Sequence, residues 1–439
     1  MKLASRIILC SCCLVLVVIA WLIAIKAKPA EQTQLELIET AAELTGDGIY
    51  TRAAALLEEA AGYSAKHTPA AETELKNVYL QLLDKKGYRG KYAALLEKQM
   101  NRKDSGPEVF AEAARFYIGA SRMSDALDTL KAGIGKTGDP ELISIYEGVR
   151  YRYETSWDVY DDASEIHEST AQVCIGGSWG IAKSDGTPMI PCVYEQISTF
   201  SADRAIAKND GEIFAVDKDG NRIAKLHETA QAFGNYAGDR FPVLLDDGWR
   251  RATGEFTLGS AAFEYIGTYS GGYAAAMQGG KWGVVDLAQK WLIPAQYDGI
   301  VQDELGRCYA NGAVFVQDGA SVRLFVDGEQ TGETFDDARP FLDGAYAAVM
   351  KEGKWGYTDV NGIITIGYEY DDALSFGQHL AAVKIDGLWG YISTYGQIAI
   401  EPVFLDAKSF SNGSAPVLTP RGWQFITLFE FKTTVGLFS

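Results

Sequence analysis

Three stretches of this sequence have residue types at spacings that chemistry uses. Gly176-Gly177-Ser178-Trp179-Gly180 has the pattern of a hydrolase nucleophile elbow, in which a strained strand-to-helix turn exposes the Ser. Ser178 occupies the slot that Lys281, Lys354 and Leu388 fill in sister stretches, and those read as hairpins, so no nucleophile is assigned. Gly135-Lys136-Thr137 ends like a phosphate-binding loop, but Leu130 stands where the first Gly is needed. Gly133 and Gly135 are read instead as ending a helix. Asp217-Lys218-Asp219-Gly220-Asn221 opens like a calcium loop, with His227 and Glu228 at positions eleven and twelve. Its Gly falls at position four instead of six. Ser184-Asp185-Gly186 and Val360-Asn361-Gly362 stand at equivalent places, so a plain β-turn is the better reading.

Single residues add little. His67, His167, His227 and His379 lie in different segments without metal-ligand spacing, and each reads as a core or surface residue. Cys174, Cys192 and Cys308 cannot all pair, so no disulfide framework is implied. Trp157 and Trp291 stand off the main Trp register and are candidate sugar-stacking platforms. Asn412-Gly413-Ser414 fits a glycosylation sequon that chance often produces. No catalytic, cofactor-binding or metal-binding residue is assigned, no cofactor is expected, and the binding residues stay open.

What must position any site is a repeat. HLAAVKIDGLWGYISTYG at 379–396 has earlier copies at Tyr273 (YAAAMQGGKWGVVDL) and Tyr346 (YAAVMKEGKWGYTDVNG). Asp386-Gly387, Glu352-Gly353 and Gly279-Gly280 fit the two-residue turns that need positive φ, so each copy is a β-hairpin. Trp179, Ile213, Trp249, Trp282, Ser321, Trp355, Trp389 and Trp423 mark one register, with spacings of 34, 36, 33, 39, 34, 34 and 34. An aromatic precedes most of them. Tyr160, Tyr194, Phe263, Tyr370 and Phe404 stand 19 residues ahead, Phe335 20 and Tyr297 24. A third apolar run ending near proline, as in MIPCVY, LIPAQY and IEPVF, completes a unit of three or four short strands.

This pattern resembles the bacterial WG-repeat (KWG) family. The likeness rests on GGSWGIAKSDG at 176–186, GGKWGVVD at 279–286, EGKWGYTDVNG at 352–362 and DGLWGYISTYG at 386–396, and spans roughly Trp157 to Lys432. The copies at Ile213 and Ser321 lack the WG, while Trp249 and Trp423 lack the following Gly. The resemblance implies a β-repeat fold and no chemistry. The array begins on an aromatic half-unit at Tyr160 and ends on a Trp half-unit at Trp423. An N-terminal strand pairing beside the last unit would therefore seal an eight-bladed β-propeller and remove its exposed edges. An open β-solenoid is the alternative.

The rest of the chain sets an α+β multidomain expectation: a transmembrane signal-anchor at 1–30, a helical domain at 31–153 and the β-domain at 154–439. Ile7–Ile25 is an uncharged run of 19 residues, about the length of a membrane-spanning helix; a cleaved secretory signal is the competing reading, but the run is long for one and Lys26, Lys28 and Pro29 spoil the small-residue cleavage site. Lys2 and Arg6 balance Lys26 and Lys28, and the free amino terminus tips the large domain to the extracytoplasmic side of a cell membrane. From Glu31 the period turns helical, with Leu35, Leu37, Ile38, Ala41, Ala42 and Leu44 on one apolar face. Pro107 to Pro140 resembles a tetratricopeptide repeat, with Phe110, Ala114, Tyr117, Ala126 and Leu130 at its packing positions. Stacked helix pairs of that kind form concave surfaces that often grip a peptide, and the equal alternative is a helical stalk that lifts the β-domain off the membrane. The net charge of −18 disfavours nucleic acid. The expected function is a membrane-anchored, non-catalytic binding or scaffold protein for a peptide, a glycan or an envelope component. The alternatives are a propeller lyase or hydrolase with an axial site, and a spacer without a ligand.

Overall fold

The computed structural model describes residues 29–226 and 229–431. They fall into two compact units, divided between Tyr146 and Glu147. The first holds seven helices: α1 (Ala30–Gly46), α2 (Tyr50–Gly62), α3 (Thr68–Leu80), α4 (Tyr88–Met100), α5 (Pro107–Gly119), α6 (Met123–Thr137) and α7 (Pro140–Glu147). Proline in the first turn starts α3 and α5, where a missing N–H costs nothing. The helix containing Gly133 and Gly135 runs past both and ends at Gly138, which takes the left-handed conformation. Gly133 instead permits close packing, since a Cβ there would fall within 3 Å of Phe110 and Leu142. The buried face of α1 also differs from expectation. Leu35 is 41% exposed, and the centre of the face is Gln34. Its amide donates to the Ala60 carbonyl and Thr68 Oγ1 and accepts from the His67 N–H, so a buried polar side chain ties α1 to two later segments.

The expectation of a single membrane span with an extracytoplasmic domain is overturned. Among the described residues no helix is long and apolar enough to cross a membrane. The longest, α1, has 17 residues and carries four Glu, whereas a span needs about 20 apolar ones. The Ile7–Ile25 run itself lies outside the described residues.

The second unit is an eight-bladed β-propeller, so the array closes into a ring and is not an open solenoid. Blades 1 to 7 occupy 162–194, 196–225, 232–253, 265–297, 299–335, 337–370 and 372–404. Blade 8 combines 406–428 with Tyr153–Thr155. Each blade is an antiparallel meander of a two-residue first strand followed by longer ones, and blade 3 stops at three strands. The apolar alternation of the middle strands is buried between blades, with Tyr357, Tyr391, Phe315 and Phe425 fully covered.

The repeated residues have distinct structural roles. Each Trp pairs across the sheet with the aromatic that follows it: Trp179 with Tyr194, Trp282 with Tyr297, Trp355 with Tyr370 and Trp389 with Phe404. The Gly after Trp lies where the fourth strand bulges over the third. A Cβ at Gly180, Gly283, Gly356 or Gly390 would meet a backbone atom of that strand within 3 Å. Pro191, Pro294 and Pro402 sit in those bulges, where a missing N–H breaks no ladder bond. The acid after the aromatic belongs to the next blade and caps its hairpin turn. Asp161 accepts the Gly176 N–H at 2.6 Å, Glu264 those of Gly279 and Gly280, and Asp298 that of Gly319 at 2.8 Å. Lys281 and Lys354 reach Asp298 and Asp371 at 2.7 Å. The aromatic-acid pair is thus the joint between consecutive blades.

Ring closure repeats that joint. The aromatic paired with Trp423 does not follow it in the chain but is Tyr160, which reaches it through an antiparallel bridge. Tyr153, Glu154 and Thr155 pair with Leu428, Thr427 and Ile426 to supply the outer strand. One register expectation is corrected. In blade 5 Gln317 pairs with Val322 and Val322 with Phe335, so Val322 and not Ser321 holds the Trp position. The turn there is Gly319-Ala320, with Gly first, whereas the turns of blades 1, 2, 4, 6 and 7 carry one second.

Candidate ligand site on the propeller axis

Two residues beyond each short first strand the chain reaches the axis. The residues there are Glu165, Thr199, Asn235, Thr268, Gln302, Pro340, Ser375 and Ser409. Glu165 alone is charged. In blade 5 the chain from Ile300 to Ala313 is six residues longer than from Ala373 to Leu380 in blade 7. The extra residues, Gln302 to Arg307, form a tight turn across the axis. Asp303 holds it, accepting from the backbone N–H groups of Leu305 at 3.0 Å and Arg307 at 2.8 Å. The Leu305 carbonyl accepts from Thr268 Oγ1 at 2.6 Å and Asn235 Nδ2 at 3.1 Å. Blades 3 and 4 therefore grip the turn by its backbone.

Its side chains reach blades 1 and 8. Arg307 donates to Glu165 Oε2 at 2.9 Å and to Asp303 Oδ2 at 2.6 Å. Glu304 accepts from the Glu165 backbone N–H and from Lys408, whose ammonium also lies over the Trp423 ring at 5.3 Å. Ser409 Oγ donates weakly to Glu165 at 3.4 Å. Glu165 is only 7% exposed. Burial pushes its carboxyl up to about 7, with Asp303 and Glu304 adding to the rise and Arg307 and Lys408 opposing it. Burial also works against the Lys408 charge, but Glu304 and Glu165 outweigh it and hold that pKa up.

His167 completes the cluster. Burial and the Arg307 charge lower its pKa, so the ring is neutral at pH 7. Its Nδ1 lies 3.3 Å from Arg307 Nη1. A guanidinium can only donate, so Nδ1 accepts and the ring proton sits on Nε2. That Nε2 is buried and has no hydrogen-bond partner. The nearest carboxylate, that of Glu168, is 3.7 Å away.

The turn leaves a cavity on each side. One, of about 330 Å³, is walled by Ile166, His167, Glu168, Ser270, Arg307, Tyr309, Asn311, Phe341, Asp343, Phe410 and Ser411. The other, of about 280 Å³, includes Asp303, Glu304, Arg339, Asp372, Trp389, Asp406 and Lys408. Glu165, Leu342 and Ser409 border both. Blades 1 and 4 to 8 thus line the axial chamber, which the turn divides in two.

Sequence reasoning reached only one member of this cluster, His167, and placed it alone. Glu165, Asp303, Glu304, Arg307 and Lys408 carry no motif. The visible signal was length, the 24-residue gap after Tyr297 and the 39-residue spacing of blade 5. The other flagged residues lie elsewhere. Ser178 sits in a hairpin opposite Ile175, behind positive-φ Gly176 and Gly177. Asp217 accepts from the Asp219 and Asn221 N–H groups as the head of a turn, and His227 and Glu228 lie outside the described residues. Trp291 packs edge-on against Phe263 at 5.8 Å within the blade core, which corrects its reading as a platform, whereas Trp157 is 91% exposed. His379 is exposed and His67 half-buried. Cys174, Cys192 and Cys308 are free thiols. Among the described residues no group of three or more His, Cys, Asp or Glu has the arrangement to hold a metal ion.

Residues 179–212, 260–282, 282–303, 334–355, 355–389 and 389–419 match a family model described as the WG containing repeat. The β-unit is a WG-repeat propeller. The unmatched internal stretches, 213–259 and 304–333, hold the units at Ile213, Trp249 and Val322, which lack the Trp-Gly pair. No curated protein matches the chain. Among solved structures, similarity is distant. Kluyveromyces lactis Hsv2 is 11% identical at a TM-score of 0.36, covering 60% of this chain and 97% of its own. A structure described as the eukaryotic initiation factor is 11% identical at 0.38, covering 60% and 85%. Dihydro-heme d1 dehydrogenase NirN in complex with DHE is 10% identical at 0.38, covering 56% and 66%.

Proposed function

We propose that this WG-repeat propeller is a non-catalytic binding or scaffold module whose axial chamber takes a peptide. The observation that carries the reading is the state of the charged groups around the chamber. Arg307 is spent on Glu165 and Asp303, and Lys408 on Glu304, so the cluster holds a wall in place. The cavity of about 330 Å³ is of ligand-pocket size, and mixed aromatic and polar walls suit a peptide. The helical unit supplies a tetratricopeptide-like platform for the same class of partner. The burial of Phe110, Ala114, Tyr117, Ala126 and Leu130 at the helix packing positions supports that, as does a hollow of about 510 Å³ lined by Leu80, Tyr92, Arg115 and Phe116.

The test is a peptide array probed with the full chain and with a Ser411→Trp variant, which fills the chamber without touching the ion pairs. Peptides that bind the wild type and not the variant support the reading, and equal binding to both refutes it. A second reading, an axial hydrolase or lyase, draws on Glu165, a buried carboxyl that keeps a proton near neutral pH and so has the makings of a general acid. Product formation from peptides or glycans by the wild type and not by Glu165→Gln would replace the binding reading with this one.

A further inference from the structure

We infer that the joint between blades 3 and 4 is a receptor for a phosphate dianion, free or as a monoester, held by Arg240 and Arg251. Neither residue lines the axial chamber, so the inference stands apart from the peptide reading. Its first support is a charge at a position where the fold otherwise keeps none. Arg251 stands opposite Pro242, two residues into the blade's second strand. The other seven blades put an uncharged, fully buried residue at that register position, among them Ile181, Val284, Leu324, Tyr391 and Phe425. Arg251 reaches across the joint to blade 4, where its Nη1 donates to the Leu287 carbonyl at 2.6 Å. A carbonyl satisfies one N–H but does not neutralise the charge, and a half-buried guanidinium without an anion is costly.

The second support is another unpaired cation beside it. Arg240 stands opposite Thr253, diagonal to Arg251 on the same face of the sheet and within reach of a side chain of that length. Among the described residues neither arginine has an ion pair. The Nε of each is buried without a partner. Only those two atoms are sealed in: Nη1 and Nη2 of Arg240 and Nη2 of Arg251 are partnerless and open to solvent, and they are the donors a ligand would meet. Both charges act on one phenol of blade 4, Tyr269, where they oppose the rise to about 12 that burial causes. Carboxylates are not scarce, with 58 acids to 40 Lys and Arg in the chain, and nearby arginines find partners. Arg204, at the place of Arg240 in blade 2, donates to the Gly254 carbonyl and faces Glu255 at 3.9 Å. Arg250 bonds Asp247 and the Gly259 and Ser260 carbonyls. The acids of the turns around the joint are engaged elsewhere. Asp286 accepts the Ala288 and Lys290 N–H groups, and Asp239 accepts from the Tyr236 hydroxyl and the Gly254 N–H.

Two neighbouring guanidinium groups present two positive charges and several N–H donors. A phosphate group answers both, with about −1.5 to −2 of charge at pH 7 and three strong acceptor oxygens. A carboxylate would leave one of the two charges uncompensated.

The experiment is calorimetric titration of the full chain, at low ionic strength, with inorganic phosphate, phenyl phosphate and acetate. The expected result is saturable phosphate binding that Arg240→Gln and Arg251→Gln each weaken by about tenfold or more. Arg251→Leu restores to the joint the residue that blade 5 carries there. It should fold as well as the wild type, abolish phosphate binding and remove the rise in melting temperature that phosphate gives the wild type. Arg240→Gln lies at the start of a strand and keeps the test alive if the Arg251 variants fail to fold. Absence of saturable phosphate binding to the wild type overturns the inference, and so does equal binding to the wild type and Arg240→Gln. Acetate that binds as tightly as phosphate overturns the dianion assignment. Phenyl phosphate that binds at least as tightly as phosphate supports the site as one for a monoester, and its exclusion while phosphate still binds supports it as one for the free ion.

Discussion

Replacing Glu165 by Gln should change how stability depends on pH more than it changes stability itself. In the folded chain burial, Asp303 and Glu304 lift this carboxyl from the ordinary 4.5 to about 7. Between those values the folded state binds a proton that the unfolded chain releases, so wild-type stability falls as pH rises through that window and levels off above it. At about 1.4 kcal/mol per pH unit, the whole window is worth about 3 kcal/mol. Gln keeps the size and can still accept from Arg307, but it cannot titrate. The assay is urea denaturation from pH 4 to pH 8 followed by Trp fluorescence, which reports the propeller because eight of the nine Trp lie between 157 and 423. The wild type should lose about 3 kcal/mol more than Glu165→Gln across that range. Parallel curves for the two proteins would mean that Glu165 is ionised throughout and that Arg307 and Lys408 outweigh burial.

Other outcomes follow from single contacts. Gly390→Ala forces a Cβ against the Ile400 carbonyl, whereas Gly367→Ala has nothing within 4 Å. The first should cost about 1–3 kcal/mol and the second far less by the same denaturation curve. Tyr160→Ala removes the partner of Trp423 and a 2.8 Å bond to the Gly186 carbonyl. It should destabilise the propeller by about 3 kcal/mol, as much as Tyr194→Ala within the ring, and a much smaller loss would show that closure rests on the 153–155 strand alone. In the helical unit Glu72 is fully buried against Arg102 and Lys98. Arg102→Ala leaves that charge short of a partner and should cost about 2 kcal/mol, whereas the double variant with Glu72→Leu should recover much of the loss in helical-signal melts.

How much of this was legible depended on whether a residue's role is periodic. Trp179, Trp282, Trp355 and Trp389 announce the blades because each does the same job at the same spacing, and the half-units at Tyr160 and Trp423 announce the closure. The Gly after Trp was visible as a letter but not as a cause, since the strand that crosses it arrives about ten residues later. Ser321 was misread for Val322 because blade 5 puts Gly first in its turn. The axial cluster was illegible because Glu165, Arg307 and Lys408 are more than a hundred residues apart and meet only when the ring closes. Hydropathy alone offered the segment 7–25 as a span, and the helices that follow it are short, mixed in character and packed on one another.

The closing joint has a consequence for how the chain is made. Ser156 and Gln424, hydrogen-bonded in the finished ring, are 268 residues apart. At the ~5–20 residues per second of synthesis, the 153–155 strand leaves the ribosome roughly a quarter of a minute to a minute before its partner exists. Throughout that time the growing array has a free strand edge at each end, the open geometry that recruits foreign strands. A nascent chain stalled before Trp423 should therefore be a client of strand-shielding chaperones, and the same chain released after Leu428 should not.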